Sequence, residues 1–471
     1  MKRTKIVATI GPKTANANML KKMYSAGMSL ARLNGSHNSL KWHDETIKLI
    51  RKEIPNCPIL LDIPGKKIRT IRLSYEPVFN KKDVIILTTK KGFMGKDKIS
   101  ITNTQLHKFL SKGNIVYADD GTLKFKVVKI INRDIYIRAE NSGQLKSSKG
   151  INVPYVDIGT KLITDRDKKM IGFSKKAGVD FVGISFVESA KHVELIRKLI
   201  NKKIPKIVSK IENQKGLDRL TEIVKASDVI MIDRGDLSTE TNIETLGINQ
   251  KNIIRVANNF AKPVIVATEM LDSMIHNPNP TKAEVLDISN SVLDGATATM
   301  LSGETAIGNY PIESIKVMSK VASVMLTEQD KKQRKNKLTT NEVSGMANAI
   351  KNLSLSLPIT KIIAITISGF ASRIISSQML PHPIIAVSNN KSLARTFNMY
   401  SGTKGVYYET KFHKDSLKHI PDCLNFLWKN KDINKKDMIL VIALGYPGSG
   451  RRMNTLQTHY VKDLIKTLSW K

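Results

Sequence analysis

Lys210 and Glu212 stand two residues apart at the end of a short run, 206–210, in which charged or polar residues alternate with aliphatic ones. This alternation predicts a β-strand, and alternate residues of a strand lie on the same face. From one face, the carboxylate can bind a divalent metal ion and the ammonium can stabilise a developing negative charge. An isolated Lys/Glu pair is more often a solvated ion pair, so its meaning depends on the other strands.

Polar side chains also follow most of the other predicted strands. Those at the ends of strands two, three, six, seven and eight are Arg32, Asn34, Ser36, Asp62, Arg234, Gly235, Asp236, Thr268, Glu269, Ser302, Gly303 and Glu304. Glu212 and Asp236 suit Mg²⁺ or Mn²⁺, because hard cations prefer oxygen ligands. Arg32 suits a phosphoryl group through its fork of donors, and Lys210 does so as a point charge. Phosphoryl transfer needs little beyond such positioning and neutralisation of charge.

The predicted elements that carry these residues alternate between strand and helix, which indicates an α/β protein. Eight strands are counted, each followed by a helix except after the third, and this order predicts a closed (β/α)8 TIM barrel. Short alternating runs interrupt the series and predict an inserted all-β domain. A charged linker at 328–337 precedes a separate αβ domain. The predicted divisions are a first barrel segment at 1–70, the insert at 71–164, a second barrel segment at 165–338 and the C-terminal domain at 339–471.

The composition limits the partners that we expect. The chain of 471 residues has 76 Lys and Arg against 41 Asp and Glu, a formal net charge of +35. Because the lysines are dispersed and aromatic residues make up only 6%, nucleic acid is not the expected partner. Two cysteines far apart in the sequence exclude a disulfide framework. With no signal peptide or membrane-spanning run, we expect a cytoplasmic protein without a membrane partner.

Six stretches of the chain resemble the pyruvate kinase family. The most specific are the Ser-Lys-Ile-Glu-Asn run at 209–213 and the Asn-Pro-Asn-Pro-Thr-Lys-Ala-Glu run at 277–284. The other four lie at 28–37, 231–237, 267–274 and 300–304. The resemblance covers essentially the whole chain in the same domain order, and it implies that the inserted β domain is a lid and the C-terminal domain is of the regulatory type.

The resemblance implies transfer of the phosphoryl group of phosphoenolpyruvate to ADP, giving pyruvate and ATP in the last step of glycolysis. In this role Glu212 and Asp236 bind Mg²⁺ or Mn²⁺, and Lys210 stabilises the phosphoryl group during transfer. Arg32 contacts the phosphate, and Thr268 helps to orient the protonation of the enolate.

Further positions match residues with which the family binds the substrate carboxylate and the nucleotide. The backbone N–H groups of Gly235 and Asp236 are expected to bind the substrate carboxylate. Three cationic or titratable side chains match the nucleotide side, namely His37, Arg69 and Lys149. Asp119 and Asp120 match positions of the lid, which is expected to close over the site and exclude water.

The same resemblance implies a monovalent cation site with one altered position. Asn34, Ser36, Asp62 and the main-chain carbonyl of Ile63 match its ligands, while Lys67 stands where many members carry glutamate. The Lys67 ammonium is expected near Asp62, Asn34 and Ser36, where its fixed charge replaces the cation. We therefore expect that K⁺ is not required.

Other positions depart from the family pattern. They are Gly35, Pro64, Lys66, Asp233, Glu269 and Thr297, of which Asp233 adds a carboxylate beside an anionic substrate. Changes around a metal site commonly cost about 10–100-fold in affinity or activity. An active pyruvate kinase is therefore weighed against a weakened or inactive paralogue with a regulatory or binding role. A basic RNA-binding protein on an old enzyme scaffold is a third hypothesis, supported only by the net charge.

One loop of the C-terminal domain is a candidate effector site. Thr366, Ser368 and Ser372 lie between a predicted strand and a predicted helix, where hydroxyls and a helix N-terminus can bind phosphate. An ordinary strand-to-helix turn is the equal alternative, although the family binds sugar-phosphate or nucleotide effectors in this domain. The family resemblance also implies a homotetramer.

Overall fold

The computed structural model describes residues 2–159, 162–331, 342–412, 416–445 and 453–470. The chain begins with β1 (Lys5–Thr9), α1 (Ala17–Ala26), β2 (Leu30–Asn34), α2 (Leu40–Glu53) and β3 (Ile59–Ile63). Asn16 and Ser39 cap the two helices, since their side chains accept hydrogen bonds from backbone N–H groups of the first turns. All residues of β1 and β3 are buried, as expected for strands that are covered on both faces.

The inserted domain follows β3 and is built from nine strands and a short 3₁₀ helix at Leu106–Lys108. The strands are β4 (Ile68–Arg69), β5 (Val78–Phe79), β6 (Val84–Thr88), β7 (Ile99–Ser100), β8 (Ile115–Ala118), β9 (Leu123–Ile131), β10 (Asp134–Ala139), β11 (Gly143–Gln144) and β12 (Gly150–Asn152). Seven of them form a sheet in the order β4-β12-β8-β9-β10-β6-β7, over a separate apolar core. The four longer strands were predicted from alternation, whereas the shorter ones carry too few residues to show a period.

The barrel resumes with a helix and completes its eight strands. Its elements are α3 (Asp165–Ala177), β13 (Phe181–Ile184), α4 (Ala190–Ile200), β14 (Lys206–Ile211), α5 (Gln214–Asp218), α6 (Leu220–Ala226), β15 (Val229–Asp233), α7 (Arg234–Glu240), α8 (Leu246–Asn259), β16 (Val264–Ala267), α9 (Lys282–Asp294), β17 (Ala298–Leu301), α10 (Gly303–Ala306) and α11 (Pro311–Lys331). Two 3₁₀ helices lie at Ile243–Thr245 and Asp272–Ile275. The predicted single helix at 217–226 is instead divided into α5 and α6.

The eight strands close into a barrel in the order β1-β17-β16-β15-β14-β13-β3-β2, with every neighbouring pair parallel. The predicted barrel fold is therefore confirmed. Because the strands run in one direction, their C-terminal ends meet at one mouth, as the sequence interpretation requires. Apolar residues from all eight strands, such as Val7, Leu60 and Val208, fill the interior below that mouth.

The C-terminal domain is a five-stranded sheet between helices. Its elements are α12 (Glu342–Ser356), β18 (Lys361–Ile365), α13 (Phe370–Ser377), β19 (Ile384–Ser388), α14 (Lys391–Phe397), β20 (Thr403–Tyr407), α15 (His419–Lys429), β21 (Met438–Ala443), β22 (Thr455–Tyr460) and α16 (Val461–Thr467). The order is β20-β19-β18-β21-β22, and only the edge strand β22 is antiparallel to its neighbour. β22 was missed because its Thr-Leu-Gln-Thr-His-Tyr sequence is largely polar.

The two smaller domains contact opposite ends of the barrel. The C-terminal domain meets the N-terminal ends of the strands, where Lys5 Nζ donates to the Thr403 carbonyl at 2.9 Å and Arg395 bonds Asp180. The insert lies over the mouth. The predicted boundary at 338/339 falls within residues 332–341, outside the described residues, and the predicted linker overlaps the same stretch. Across the described helices, none has the length and apolar character that crossing a membrane requires.

Candidate active site

A cavity of about 490 Å³ lies at the barrel mouth beneath the insert. It brings together most of the site residues that the sequence predicted. Those on its wall are Arg32, Asn34, Ser36, His37, Asp62, Ile63, Lys67, Arg69, Lys149, Lys210, Gly235, Asp236 and Thr268. Glu212 does not reach this wall, because it is fully buried directly beneath Lys210.

Lys210 is the central cation of the mouth. Its ammonium lies 2.7 Å from Glu212, 2.9 Å from Asp233 and 3.5 Å from Asp62. Burial alone would lower the pKa of Lys210, but these carboxylates outweigh burial and hold the pKa well above its ordinary value. The residue therefore stays charged at neutral pH, as stabilisation of a phosphoryl group requires.

Three carboxylates converge beside this lysine. One oxygen each from Glu212, Asp233 and Asp236 lies within 4.8 Å of the others, and all three residues are buried. Burial raises the pKa of Glu212 to about 8, while Lys210 outweighs burial at Asp233 and holds its pKa well below the usual range. Hard oxygen donors at this separation fit Mg²⁺ or Mn²⁺, which would relieve the repulsion among them.

Arg32 and Asp62 form a buried pair on the neighbouring strands β2 and β3. Both Arg32 Nε and Nη2 donate to Asp62 Oδ2, at 3.1 and 2.7 Å, and Nη1 donates to the Thr9 hydroxyl at 3.0 Å. The second oxygen, Asp62 Oδ1, is buried and has no hydrogen-bond partner among the described residues. Such an oxygen fits a monovalent cation, whose other ligands would be those matched by the family.

The structure corrects the expected position of Lys67. Its ammonium lies 2.7 Å from Asp236 and 3.4 Å from Asp120, rather than among Asn34, Ser36 and Asp62. Burial would lower the pKa of Lys67, but the two aspartates outweigh it and raise the pKa. The expectation was wrong in its geometry because the family resemblance gives a position in the chain and not the direction of a long side chain. The Lys67 ammonium therefore neutralises the Asp236 carboxylate.

The turn after β16 has an unusual backbone. Thr268 and Glu269 have φ values of 70° and 53°, a region that residues with a β-carbon rarely adopt. Arg234 supports this turn, since its guanidinium donates to the carbonyls of Thr268 and Glu269 and pairs with Asp287. The Thr268 hydroxyl accepts from the Gly235 N–H at 2.9 Å. The Gly235 N–H predicted for the substrate carboxylate is thus bonded within the protein here.

The insert reaches the mouth through several polar contacts. Asn152 of β12 donates to Asp236 at 3.3 Å and to Glu240 at 2.9 Å. Burial raises the pKa of Glu240 to about 7, so this carboxyl titrates near neutrality. On the insert side of the mouth, Lys149 pairs with Asp119 at 2.6 Å and Arg69 donates to the Ser148 carbonyl at 2.9 Å.

His37, the third residue assigned to the nucleotide side, lies on the same cavity wall. Burial and the nearby Arg69 and Arg32 lower its pKa. Neutral imidazole can both donate and accept a hydrogen bond, unlike the surrounding cations.

The sequence interpretation missed two residues that support the site from strands one and four. The Ser185 hydroxyl accepts from Lys210 at 3.1 Å and donates to the Ile63 carbonyl at 2.9 Å. Thr9 ends β1 and accepts from Arg32. Both were available from the rule that finds strand-end residues, because Ser185 directly follows β13 and Thr9 is the last residue of β1.

Several departures from the family pattern have local explanations. A β-carbon at Gly35 would lie 2.6 Å from the Asp62 carbonyl oxygen and 2.5 Å from the Met170 methyl group, so this position has no room for an aromatic side chain. Lys66 pairs with Glu188 at 2.8 Å. Thr297 lies at the other end of the barrel, where its hydroxyl accepts from the Val264 N–H. Nothing in the structure explains Pro64.

The candidate effector loop in the C-terminal domain uses its hydroxyls internally. Thr366 Oγ1 accepts from the Gly369 N–H at 3.0 Å, and the buried Ser372 hydroxyl donates to the Gly369 carbonyl at 2.9 Å. Ser368 Oγ is 3.4 Å from the Phe370 N–H. These contacts are those of a strand-to-helix turn, so an effector would have to exchange them for its own.

Fold and site together define a (β/α)8-barrel enzyme with a β domain over an acidic and cationic mouth. Sequence comparison then specifies the family. The model described as "Pyruvate kinase, barrel domain" matches residues 1–315, and "Pyruvate kinase, alpha/beta domain" matches residues 345–459. The chain belongs to the pyruvate kinase family.

Individual relatives give the same result across distant organisms. A protein of Staphylococcus saprophyticus named "Pyruvate kinase" is 36% identical over 477 residues, covering 98% of this chain and 81% of the relative. Relatives with that name from Thermotoga maritima and Lachancea kluyveri are 35% and 34% identical. The alignments cover 97% of this chain in both cases, and 99% and 96% of the relatives.

Proposed function

We propose that the protein transfers the phosphoryl group of phosphoenolpyruvate to ADP, giving pyruvate and ATP, with Mg²⁺ or Mn²⁺ as cofactor. The observation that carries this proposal is the charged Lys210 ammonium among buried carboxylates at the mouth of a pyruvate kinase barrel. Arg32 lies on the same wall and supplies a second fixed cation. A transferring phosphoryl group needs this combination of positive charges and metal ligands.

In this mechanism the protein supplies positioning and electrostatics. Arg32 binds phosphate oxygens, and Lys210 stabilises the negative charge that develops as the phosphoryl group leaves the enolate oxygen. Glu212 and Asp236 hold the divalent ion, which neutralises phosphoryl charge when bound. The two side-chain cations, Arg32 and Lys210, are already held in place by buried carboxylates, so little reorganisation accompanies the reaction.

The second half of the reaction protonates the enolate carbon, and we assign the orientation of this step to Thr268. The left-handed backbone at Thr268 projects its hydroxyl toward Gly235, at the edge of the cavity. Strained backbone of this kind is kept where the surrounding structure requires one geometry. Substrate binding would exchange the Gly235 N–H from Thr268 to the substrate carboxylate.

We assign the insert the role of a lid, because Asn152 already bridges it to Asp236 and Glu240. His37, Arg69 and Lys149 would bind ADP between the lid and the barrel. Exclusion of water there favours transfer to ADP over hydrolysis. Independence from K⁺ is also proposed: although Lys67 contacts Asp236 and not the matched cation ligands, its fixed charge lies in the same cavity as those ligands. A homotetramer, a sugar-phosphate or nucleotide effector, a cytoplasmic location and a role in glycolysis stay predictions.

The alternative of an inactive paralogue gains no support from the comparisons, since the relatives are named pyruvate kinase and the chain keeps Lys210, Glu212 and Asp236. The hypothesis of a nucleic-acid-binding protein still depends on the net charge alone.

The direct test is pyruvate formation by the purified protein, coupled to lactate dehydrogenase. We expect activity that depends on both phosphoenolpyruvate and ADP, disappears with a chelator and returns with Mg²⁺ or Mn²⁺. The matched variant is Glu212→Gln, which keeps the shape but removes the charge and should strongly reduce activity at fixed Mg²⁺. A folded wild-type protein that forms no pyruvate at saturating substrates and metal would contradict the proposal.

A further inference from the structure

Asp233 is an additional carboxylate at the mouth whose position suggests a specific use. It is the last residue of β15 and immediately precedes α7, the place where an aspartate commonly caps a helix. Its side chain makes no capping hydrogen bond. Instead Oδ2 lies 2.9 Å from Lys210 Nζ, and the residue is only 7% exposed. The carboxylate therefore points toward the mouth and does not cap the helix.

The geometry of the neighbouring carboxylates fits one ion. One oxygen each from Asp233, Glu212 and Asp236 lies within 4.8 Å of the others. Oxygen ligands at about 2.1 Å from an octahedral ion are about 3 Å apart when adjacent and about 4 Å apart when opposite. Small side-chain movements therefore bring all three oxygens onto one ion, with the remaining positions left for substrate oxygens and water.

Two ammonium groups currently neutralise this set. Lys210 contacts Glu212 and Asp233, while Lys67 contacts Asp236 at 2.7 Å. The two lysines together carry the same charge as one divalent ion. Because they contact the same three carboxylates that an ion would use, the ion and the lysines compete for those carboxylates.

From these observations we propose that Asp233 is a third carboxylate ligand of the divalent ion, so the protein binds the ion before either substrate. This inference rests on the proposed function for the identity of the site. It deepens that function by adding a ligand and an order of binding. Three carboxylates leave the site with net negative charge after the ion binds, and Lys210 and Lys67 offset that charge toward the anionic substrates. The competing interpretation is that Asp233 only positions Lys210.

The test measures Mn²⁺ binding to the intact protein by electron paramagnetic resonance, without phosphoenolpyruvate or ADP. We expect one ion per chain, and an affinity that falls at least tenfold in Asp233→Asn. Asp272→Asn is the matched control, because Asp272 lines the same cavity but does not belong to the set of three carboxylates. This variant should bind Mn²⁺ with the affinity of the wild type. Lys67→Met should bind Mn²⁺ several-fold more tightly, since it removes a competing ammonium.

A double variant separates the two interpretations. If Asp233 acts only through Lys210, Asp233→Asn will have no effect on Mn²⁺ affinity in a Lys210→Met background, and the proposal is overturned. If Asp233 is a ligand, the loss of affinity will persist there. Melting temperatures of all variants confirm that the binding protein is folded, and Asp233→Ala repeats the test if Asp233→Asn does not fold. Since no turnover is measured, a failed pyruvate assay with Mn²⁺ binding intact would count against the function alone.

Discussion

The two ends of the barrel both bury charged residues, but they satisfy them differently. At the N-terminal end, Asp180 is fully buried and bonds Arg51 at 2.6 Å, Arg395 at 2.9 Å and the Ile59 N–H at 2.8 Å. At the mouth, Lys210 is shared among several carboxylates, and Asp62 Oδ1 has no hydrogen-bond partner among the described residues. The charges at one end are satisfied by contacts within the protein, whereas the described residues of the other end leave a buried carboxylate oxygen unbonded.

This difference separates buried charges that hold the structure from those that perform chemistry. Breaking a buried, fully bonded pair leaves an uncompensated charge and destabilises the protein strongly. A cluster of like charges is already costly, so removing one member costs little stability although it removes function. Substitutions at the N-terminal end should therefore lower mainly stability, whereas matched substitutions at the mouth should lower mainly activity.

The largest effect is expected at Lys210. Lys210→Met should lower kcat by several orders of magnitude, because it removes charge stabilisation that acts in the transition state. Lys206→Met is the matched control on the same strand, since Lys206 lies at the opposite end and donates to the Tyr400 hydroxyl. Steady-state kinetics should show near wild-type kcat for that control. Near-normal turnover in a folded Lys210→Met protein would remove the catalytic assignment.

The next effect concerns stability and compares two buried aspartates. Asp180→Ala should lower the free energy of unfolding by about 3–5 kcal/mol, since it leaves the guanidinium groups of Arg51 and Arg395 without their carboxylate. Asp233→Ala should change it by less than about 1 kcal/mol, because Glu212 and Asp62 still surround Lys210. Thermal and urea unfolding of the two variants measure the difference. Equal losses of unfolding free energy in the two variants would show that buried charges at the two ends contribute equally to stability.

A smaller effect is expected from monovalent cations. Turnover of the wild type should be nearly the same in KCl and in tetramethylammonium chloride at equal ionic strength, because Lys67 supplies a fixed charge at the mouth. Lys67→Glu should acquire a K⁺ stimulation of about tenfold or more, since it replaces that charge with a carboxylate. Strong stimulation of the wild type by K⁺ would instead assign the free oxygen of Asp62 to a bound cation.

Much of the barrel was predictable because its signals are local. The alternation along β14 predicted the strand that carries Lys210. The polar residues after each strand predicted which end of the barrel forms the mouth, and Lys210 and Asp236 both line the cavity there. A parallel barrel converts such strand-end positions into neighbours without further information. The domain boundaries remain predictions, although the separate sheets agree with their order.

What the sequence did not predict depends on contacts between distant segments and on side-chain direction. Asn152 reaches Asp236 across 84 positions in the chain, and no local pattern indicates that contact. Lys67 pairs with Asp236 rather than with the expected oxygens, and only the folded backbone determines the direction of this side chain. Gly35 likewise reflects the close approach of Met170, a residue of a later helix.

The smallest expected effect is a pH dependence at the N-terminal end, where Lys5 is buried against the C-terminal domain. Burial, with a minor contribution from Lys2, lowers the pKa of Lys5 to about 7. The unfolded value is about 10.4, so between these limits the unfolded chain binds the additional proton. The contribution of Lys5 to stability therefore rises with pH above about 7, by at most about 1.4 kcal/mol per pH unit. It has no pH slope well below that value, where both states are protonated.

Lys5→Met should remove this rise while losing only the hydrogen bond to the Thr403 carbonyl. The measurement is the melting temperature of the wild type and the variant between pH 6 and 9, and the difference between the two curves isolates Lys5. Lys13→Met is the control, because Lys13 is exposed and this change likewise removes one lysine and its hydrogen bond, here to Asn309. Parallel curves for wild type and Lys5→Met would mean that Lys5 keeps its proton in the folded state. The N-terminal end would then contain a buried cation, as the mouth does at Lys210.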